Sequence, residues 1–198
     1  LCSDNMKIFI LLLSVIVYTA AQVAQPCNSP PQWEGRVAAG DRQTKFAEYA
    51  RISYDETDQR VRVIEERDQG SEKDFYDTLY LHNVGLKYQL NLVTKKCNIT
   101  SLTEPFRTRG VPPFARFLFT GTIGAAGIPN EHFVIQAYEG EFQDGTRFGV
   151  TVTYPDCVPV EGTIFSNSSG IFHFQYIGMS IGISDPGVFI PPTECFKY

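Results

Sequence analysis

The sequence lacks most of the short patterns that enzymes and metal proteins use. It contains no Cys-x-x-Cys pair, which argues against a thiol redox motif or a zinc knuckle. The glycines at 121, 124 and 127 fit neither a P-loop nor a dinucleotide-binding fingerprint. Only three histidines occur, His82, His132 and His173. No two of them are four residues apart, the spacing of a helical metal-binding pair.

Basic residues are also scarce. The chain has 17 lysines and arginines against 22 acidic residues, a formal net charge of −5. Binding of nucleic acid requires a basic surface that neutralises phosphates, so a nucleic-acid partner is not expected. The same balance disfavours simple electrostatic docking on anionic membranes at neutral pH.

There is a single long hydrophobic run, at residues 8–17, and it is too short for a transmembrane helix. Lys7 precedes it, and Thr19 and Ala21 suit the −3 and −1 positions of a signal-peptidase site. The pattern predicts a signal peptide over residues 6–21 and a single mature domain at 22–198. Residues 1–5, with Cys2, are then leader sequence. We expect a secreted, extracellular protein.

Cysteine use agrees with secretion. Four cysteines remain in the predicted mature chain, and an even number behind a signal peptide predicts two disulfides. These four are Cys27, Cys97, Cys157 and Cys195. The sequence alone permits three ways to pair them. Two Asn-x-Ser/Thr sequons, at Asn98 and Asn167, are predicted glycosylation sites.

Alternation of apolar and polar residues with a period of two dominates the mature chain, and turn residues separate the alternating runs. This pattern predicts about ten strands joined by antiparallel hairpins. Helical periodicity is weak, and only residues 102–109, before Pro112 and Pro113, suggest a short helix. The clearest runs are 60–63, 86–92, 133–138, 148–154 and 172–176.

The apolar positions of these runs are rich in phenylalanine. Such a face can fill the core of a sandwich, or it can line the cavity of a curved sheet that holds an apolar ligand. The residues predicted to face inward, and so to line a ligand pocket, are Phe117, Phe119, Phe133, Ile135, Phe148, Val150, Phe172 and Phe174.

Two local patterns suggest chemistry but lack the required context. Residues 178–182 read Gly-Met-Ser-Ile-Gly, the spacing of a hydrolase nucleophile elbow, but Asp185-Pro186-Gly187 prevents the helix that an elbow needs. No histidine follows Ser180, so we expect no enzyme, and the glycines are expected to mark a bulge or a close backbone approach. The acidic run at 55–58 lacks the spacing of an EF-hand loop and predicts a hairpin turn.

Several short segments resemble the ependymin-related family in order and spacing, over essentially the whole mature chain. The mature start, residues 26–36, reads Pro-Cys-Asn-Ser-Pro-Pro-Gln-Trp-Glu-Gly-Arg, as at the opening of that family. Ser-Tyr-Asp at 53–55 and Gln-Arg-Val-Arg-Val at 59–63 resemble its next hairpin. The remaining three cysteines lie in segments that also resemble the family: Lys-Lys-Cys at 95–97, Asp-Cys-Val-Pro-Val at 156–160 and Pro-Pro-Thr-Glu-Cys at 191–195.

The resemblance implies a fold and a function that the composition does not show. The fold would be mainly β, with two stacked antiparallel sheets like the curved sheet or half-barrel of bacterial lipoprotein carriers, one or two short helices and a hydrophobic pocket. It also implies the disulfides Cys27–Cys157 and Cys97–Cys195. Members are secreted or lysosomal glycoproteins, often homodimers, that are linked to calcium and to matrix adhesion.

The expected function is therefore binding of a lipid or its acyl chain in a pocket between sheets, with a calcium-linked role in cell–matrix adhesion. Calcium is the one candidate cofactor, its ligands are not identified by the sequence, and no organic cofactor is expected. The expected partners are a hydrophobic ligand, extracellular matrix components and a second copy of the chain. The alternative is an adhesive matrix glycoprotein with a filled core and no ligand.

Overall fold

The computed structural model describes residues 24–41, 45–70, 72–166 and 170–196, so the predicted leader and signal peptide lie outside the described residues. The fold is mainly β, with antiparallel pairing throughout, as predicted. One continuous eleven-stranded sheet replaces the two stacked sheets of the prediction. The strands are β1 (Gln32–Asp41), β2 (Phe46–Asp55), β3 (Arg60–Gln69), β4 (Lys73–Leu81), β5 (Leu86–Asn91), β6 (Cys97–Ser101), β7 (Arg116–Gly124), β8 (His132–Glu141), β9 (Arg147–Thr153), β10 (Pro159–Ser166) and β11 (Gly170–Ile181).

The sheet consists of two meanders that meet at its centre. The spatial order is β6-β5-β4-β3-β2-β1-β11-β10-β9-β8-β7, so the first and last strands pair with each other. The two strands in the middle of the sequence, β6 and β7, therefore lie at opposite edges. Residues 102–115 connect them, and we call this segment the strap.

The strap limits the shape of the sheet. Ten inter-strand gaps of about 4.8 Å would separate β6 from β7 by about 48 Å if the sheet were flat. Fully extended, the strap reaches only about 50 Å. It is not fully extended, because the Ala115 N–H closes a turn onto the Pro112 carbonyl at 2.9 Å. The sheet must therefore curl to bring its edges closer, and the strap crosses one face.

The strand register shows which side chains share a face. Cross-strand partners point to the same side, and one row across the sheet contains Tyr138, Val150, Gly162, Phe174 and Ala39. Strap residues pack on this side, which we call the inner face. The residues at the intervening positions lie on the outer face.

One core cluster lies on the inner face. It is formed by the strap residue Val111 with Tyr138, Val152 and Cys157. Cys157 is joined to Cys27 by a disulfide with a Cα–Cα distance of 6.0 Å, as the family resemblance implied. Burial of these side chains stabilises the strap against the sheet, at about 25 cal/mol per Å² of apolar surface removed from water.

A second core cluster covers the outer face of the other half of the sheet. Phe189, in the segment that follows β11, packs against Leu79 and Tyr88. The disulfide Cys97–Cys195, also as implied, joins this segment to the edge strand β6 with a Cα–Cα distance of 5.0 Å. Each disulfide closes a loop of about a hundred residues or more, for which the chain-entropy model gives about 4–5 kcal/mol.

Polar contacts orient the C-terminal segment. Arg62 donates from Nε to Asp77 at 2.8 Å and from a terminal nitrogen to the Val188 carbonyl at 2.6 Å. Buried Glu34 accepts hydrogen bonds from Ser184, from the backbone N–H at 3.1 Å and from the hydroxyl. Burial raises the pKa of Glu34, but hydrogen bonds from Ser184 and Ser53 outweigh it, so the net pKa is lowered.

The helical turns are not where the sequence suggested. The predicted helix over 102–109 is wrong, because this part of the strap has no regular secondary structure. Its backbone pairs with other segments: the Leu102 N–H donates to the Gly85 carbonyl, and the Arg109 carbonyl accepts from Ser29. Pro105 also disfavours helical geometry at the residue before it.

Two short 3₁₀ turns instead occupy Pro186–Phe189 and Thr193–Phe196. In the part of the chain that the structure describes, no helix is long and apolar enough to cross a bilayer.

The C-terminal segment yields a test of the second core cluster. Phe189 is 5% exposed, and the Arg60 guanidinium lies 4.3 Å from its ring centroid. Phe189→Ala should lower the free energy of unfolding by about 3 kcal/mol, because it removes a buried ring and leaves a cavity. Ile190→Ala is the matched control, since its side chain is 65% exposed, and should change stability by less than about 0.5 kcal/mol in the same denaturant titration. Equal effects would show that the cluster does not hold the segment.

Candidate ligand-binding site

The strap does not fill the inner face. A cleft of about 340 Å³ remains between strap residues 107–112 and strands β9 to β11. This volume lies at the lower end of the range for small-molecule sites in proteins. Its wall on the sheet side is mainly apolar and includes Phe148, Val150, Val152, Ile164, Phe174 and Tyr176.

The strap is anchored at the edge of this cleft by a short ladder to the N-terminal segment. The Ser29 N–H donates to the Arg109 carbonyl at 3.1 Å, and the Val111 N–H donates to the Cys27 carbonyl at 2.8 Å. Gly110 forms an isolated β-bridge with Asn28. The disulfide of Cys27 then ties this ladder to the turn after β9. The wall of the cleft formed by the strap is thereby fixed at several points.

An aromatic stack supports the strap from below. Tyr54, 1% exposed, lies between Trp33, with ring centroids 5.1 Å apart, and Phe106 of the strap, at 5.6 Å. Its hydroxyl accepts from the Arg109 N–H at 3.1 Å and donates to a Glu56 carboxylate oxygen at 3.0 Å. Burial is the main reason that the pKa of Tyr54 is raised to about 12. The phenol therefore stays protonated near neutral pH and keeps its hydrogen to donate.

Glycines let two aromatic rings lie flat on the sheet. A Cβ added at Gly162 would lie 2.4 Å from Phe174 Cζ, and one at Gly140 would lie 2.6 Å from Phe148 Cζ. Both distances are too short for any side chain, so each ring occupies the space that its cross-strand glycine leaves free. The depth of the cleft depends on this arrangement.

Five of the eight residues predicted to face inward lie on the inner face of the sheet. Phe148, Val150 and Phe174 line the cleft. The other two lie on the inner face outside its lining. Phe117 packs edge-on against Tyr138, and Phe172 contacts Phe46 and Phe174.

The prediction is wrong for Phe119, Phe133 and Ile135, which lie on the outer face. The register shifts between Phe117 and Phe119, so a β-bulge places these two residues on opposite faces. In β8, the residue that pairs with Val150 across the inner face is Tyr138, which assigns Phe133 and Ile135 to the other side. Phe119 and Phe133 are exposed there, and Ile135 is buried.

The sequence analysis missed several residues of the site. Tyr176 continues the alternation of Phe172 and Phe174, so its inner position can be read from the pattern. The strap residues carry no such signal, because irregular segments have no period.

The acidic run at 55–58 does not fit a calcium ion. Both carboxylate oxygens of Asp55 are engaged, one by Gln32 and the Asp58 N–H and the other by Arg60. Arg60 also forms a salt bridge with Asp58 at 2.8 Å. Across the described residues, no group of three or more His, Cys, Asp or Glu side chains is arranged to hold a metal ion.

The remaining sequence motifs are structural. Residues 178–181 of the Gly-Met-Ser-Ile-Gly motif lie inside strand β11, opposite a register shift between Glu34 and Arg36 in β1. The predicted bulge is confirmed, and Ser180 is not at a strand–turn–helix elbow. Asn98 is exposed on the edge strand β6, whereas Asn167 lies outside the described residues. Occupancy of both sequons stays a prediction.

Comparisons with known proteins identify relatives over most of the chain. A family model described as Ependymin matches residues 70–195. Mammalian ependymin-related protein 1 of Rattus norvegicus is 32% identical over 175 residues, covering 86% of this chain and 76% of the relative. Ependymin of Clupea harengus is 23% identical over 191 residues, covering 93% of this chain and 90% of the relative.

The fold is also similar to that of solved structures. An uncharacterised conserved protein from Thermus thermophilus superposes with a TM-score of 0.52, covering 84% of this chain and 88% of that chain, at 10% sequence identity. At this identity the similarity concerns the fold alone.

The aromatic stack under the strap can be tested with one substitution. Tyr54→Phe removes the acceptor of the Arg109 N–H, and should lower the free energy of unfolding by about 1–2 kcal/mol. Hydrogen exchange at the Arg109 amide should become faster. Tyr49→Phe is the control, because Tyr49 is 63% exposed on the outer face of the same strand. Unchanged exchange at Arg109 in the Tyr54 variant would mean that this hydrogen bond does not hold the strap.

Proposed function

Because this chain belongs to the ependymin family, we propose that it is a secreted protein that binds the acyl chain of a lipid in the cleft between the strap and the inner face. The observation that carries the proposal is the apolar wall formed by Phe148, Val150 and Phe174 beneath an anchored strap. A core filled entirely by side chains would leave no apolar cleft beneath the strap.

The driving force would be burial of methylene groups, at about 0.8 kcal/mol each. Part of this gain offsets the cost of ordering the chain in the site. The strap reduces that cost on the protein side, because the disulfide of Cys27 and the ladder at Ser29 and Val111 already fix it.

Secretion is supported by several features of the chain together. Two disulfides suit an oxidising compartment, and the sequon at Asn98 is on the surface. The hydrophobic run at residues 8–17 supports the same route. Residence in a lysosomal lumen, a homodimer and matrix partners stay predictions.

The alternative function, an adhesive matrix glycoprotein without a ligand, differs in one measurable respect. The protein should be produced in eukaryotic secretory cells, purified without detergent and analysed by native mass spectrometry and lipid extraction. We expect an acyl lipid near one per chain. Protein free of lipid that also fails to bind a fluorescent fatty-acid probe would favour the alternative.

The position of the ligand can be tested without removing any apolar side chain. Gly162→Ala must push the Phe174 ring off β10 and into the cleft, since the new methyl would overlap the ring. The affinity for a fluorescent fatty-acid probe should fall about tenfold, or about 1.4 kcal/mol.

Gly149→Ala is the matched control for this substitution. Gly149 lies on neighbouring β9 at an outer-face position, and its Cβ would have no neighbour closer than 3.9 Å. Probe affinity should be unchanged in this variant. Equal losses in both variants would place the ligand away from Phe174.

A further inference from the structure

Two arginines of the strap, Arg107 and Arg109, line the apolar cleft. Neither forms a salt bridge with a carboxylate of the described residues. Four other arginines, Arg60, Arg62, Arg67 and Arg116, pair with aspartate or glutamate. Among the described residues, Arg36, Arg51 and Arg147 have no such partner either, but they do not line this cleft. What distinguishes Arg107 and Arg109 is their place in the fold, because both are exposed strap residues that line an apolar cleft.

The backbone holds these arginines in place. The Arg109 N–H donates to the Tyr54 hydroxyl oxygen and its carbonyl accepts from the Ser29 N–H, and Arg107 is two residues away in the strap. The charge of Arg109 acts on the cleft: burial raises the pKa of Tyr176 in the cleft wall, and Arg109 opposes that rise. The backbone that carries the two arginines is therefore fixed, and their exposed side chains extend from one wall of the cleft.

Both arginines also line a smaller cleft of about 240 Å³ on the other side of the strap. That cleft is more polar and includes Tyr80, His82 and Glu104. The His82 ring nitrogen Nδ1 lies 3.1 Å from the Glu104 carbonyl oxygen. The arginines thus stand at the boundary between an apolar cleft and a polar one.

The acidic residue that lines the apolar cleft, Glu161, does not neutralise Arg107 and Arg109. Glu161 contributes to the lining, but its register partners Thr151 and Gln175 place its side chain on the outer face. Thr151 donates to a Glu161 carboxylate oxygen at 3.4 Å. Glu104 lines the polar cleft and not the apolar one, so on the apolar side a bound molecule would supply the negative charge for the arginines.

We propose that the cleft selects a single-chain amphiphile with an anionic head, a carboxylate or a phosphate, which pairs with Arg107 and Arg109 while its chain lies against Phe148 and Phe174. This inference rests on the proposed function and adds the head group to it. Guanidinium groups suit both heads, because they bind carboxylates and phosphates through two parallel hydrogen bonds.

The test is a competition series with a fixed chain length. Dodecanoate, dodecyl phosphate, dodecanol and dodecylamine each displace a fluorescent acyl probe from the full chain at pH 8, below their micelle-forming concentrations. We expect the two anions to bind about tenfold more tightly than the alcohol, and the amine to bind most weakly. A difference between the two anions would identify which head the site prefers.

Two double variants then assign the preference. Arg107→Ala with Arg109→Ala should abolish the preference for the anions over dodecanol, and an unchanged midpoint of denaturant unfolding would show that the fold is intact. Arg36→Ala with Arg51→Ala is the control, because these arginines face each other on the outer face and their removal changes the net charge equally. The control should keep the preference.

The outcomes separate the two proposals. If no member of the series binds, the proposed function fails. If dodecanol binds as tightly as dodecanoate to the unmodified protein, or if the anion preference survives in the Arg107/Arg109 variant, acyl binding stands and the head-group assignment is overturned.

Discussion

Residues 102–115 have to connect β6 to β7, which are the two edges of an eleven-stranded sheet. Because an extended strap of this length barely equals the width of a flat sheet, the connection forces curvature. The same segment then crosses the inner face and covers side chains that would otherwise be exposed. The cleft is thus a consequence of chain connectivity: curvature supplies its depth, and the strap forms its outer wall.

The two disulfides act on different layers of this arrangement. Cys27–Cys157 ties the N-terminal ladder, and through it the strap, to the inner-face cluster at Tyr138 and Val152. Cys97–Cys195 ties the C-terminal segment to β6 and to the outer-face cluster around Phe189. Each half of the sheet is therefore covered by an irregular segment on one face. Little regular structure outside the sheet is needed to hold the fold.

Much of the strand pattern can be predicted from the sequence, but the assignment of faces cannot. Period-two alternation identifies strands at Phe148 to Val152 and Phe172 to Tyr176, where one side of the alternation is clearly more apolar. In β8 both sets are largely apolar, so the pattern places Phe133 and Ile135 on the wrong face. The bulge before Phe119 has no sequence signal in a single chain. The strap arginines escape prediction because an irregular segment shows its position only after the sheet has been assembled.

The central claim is that an acyl chain lies on the inner face beneath the strap. The most direct measurement is methyl NMR with a fatty acid that carries a nitroxide near its chain end, recorded before and after chemical reduction of the spin label. The account predicts strong broadening at Val150, Val152 and Ile164, which line the cleft, and little at Ile123 and Ile135 on the outer face. Broadening that is strongest at Ile123 and Ile135 would contradict it.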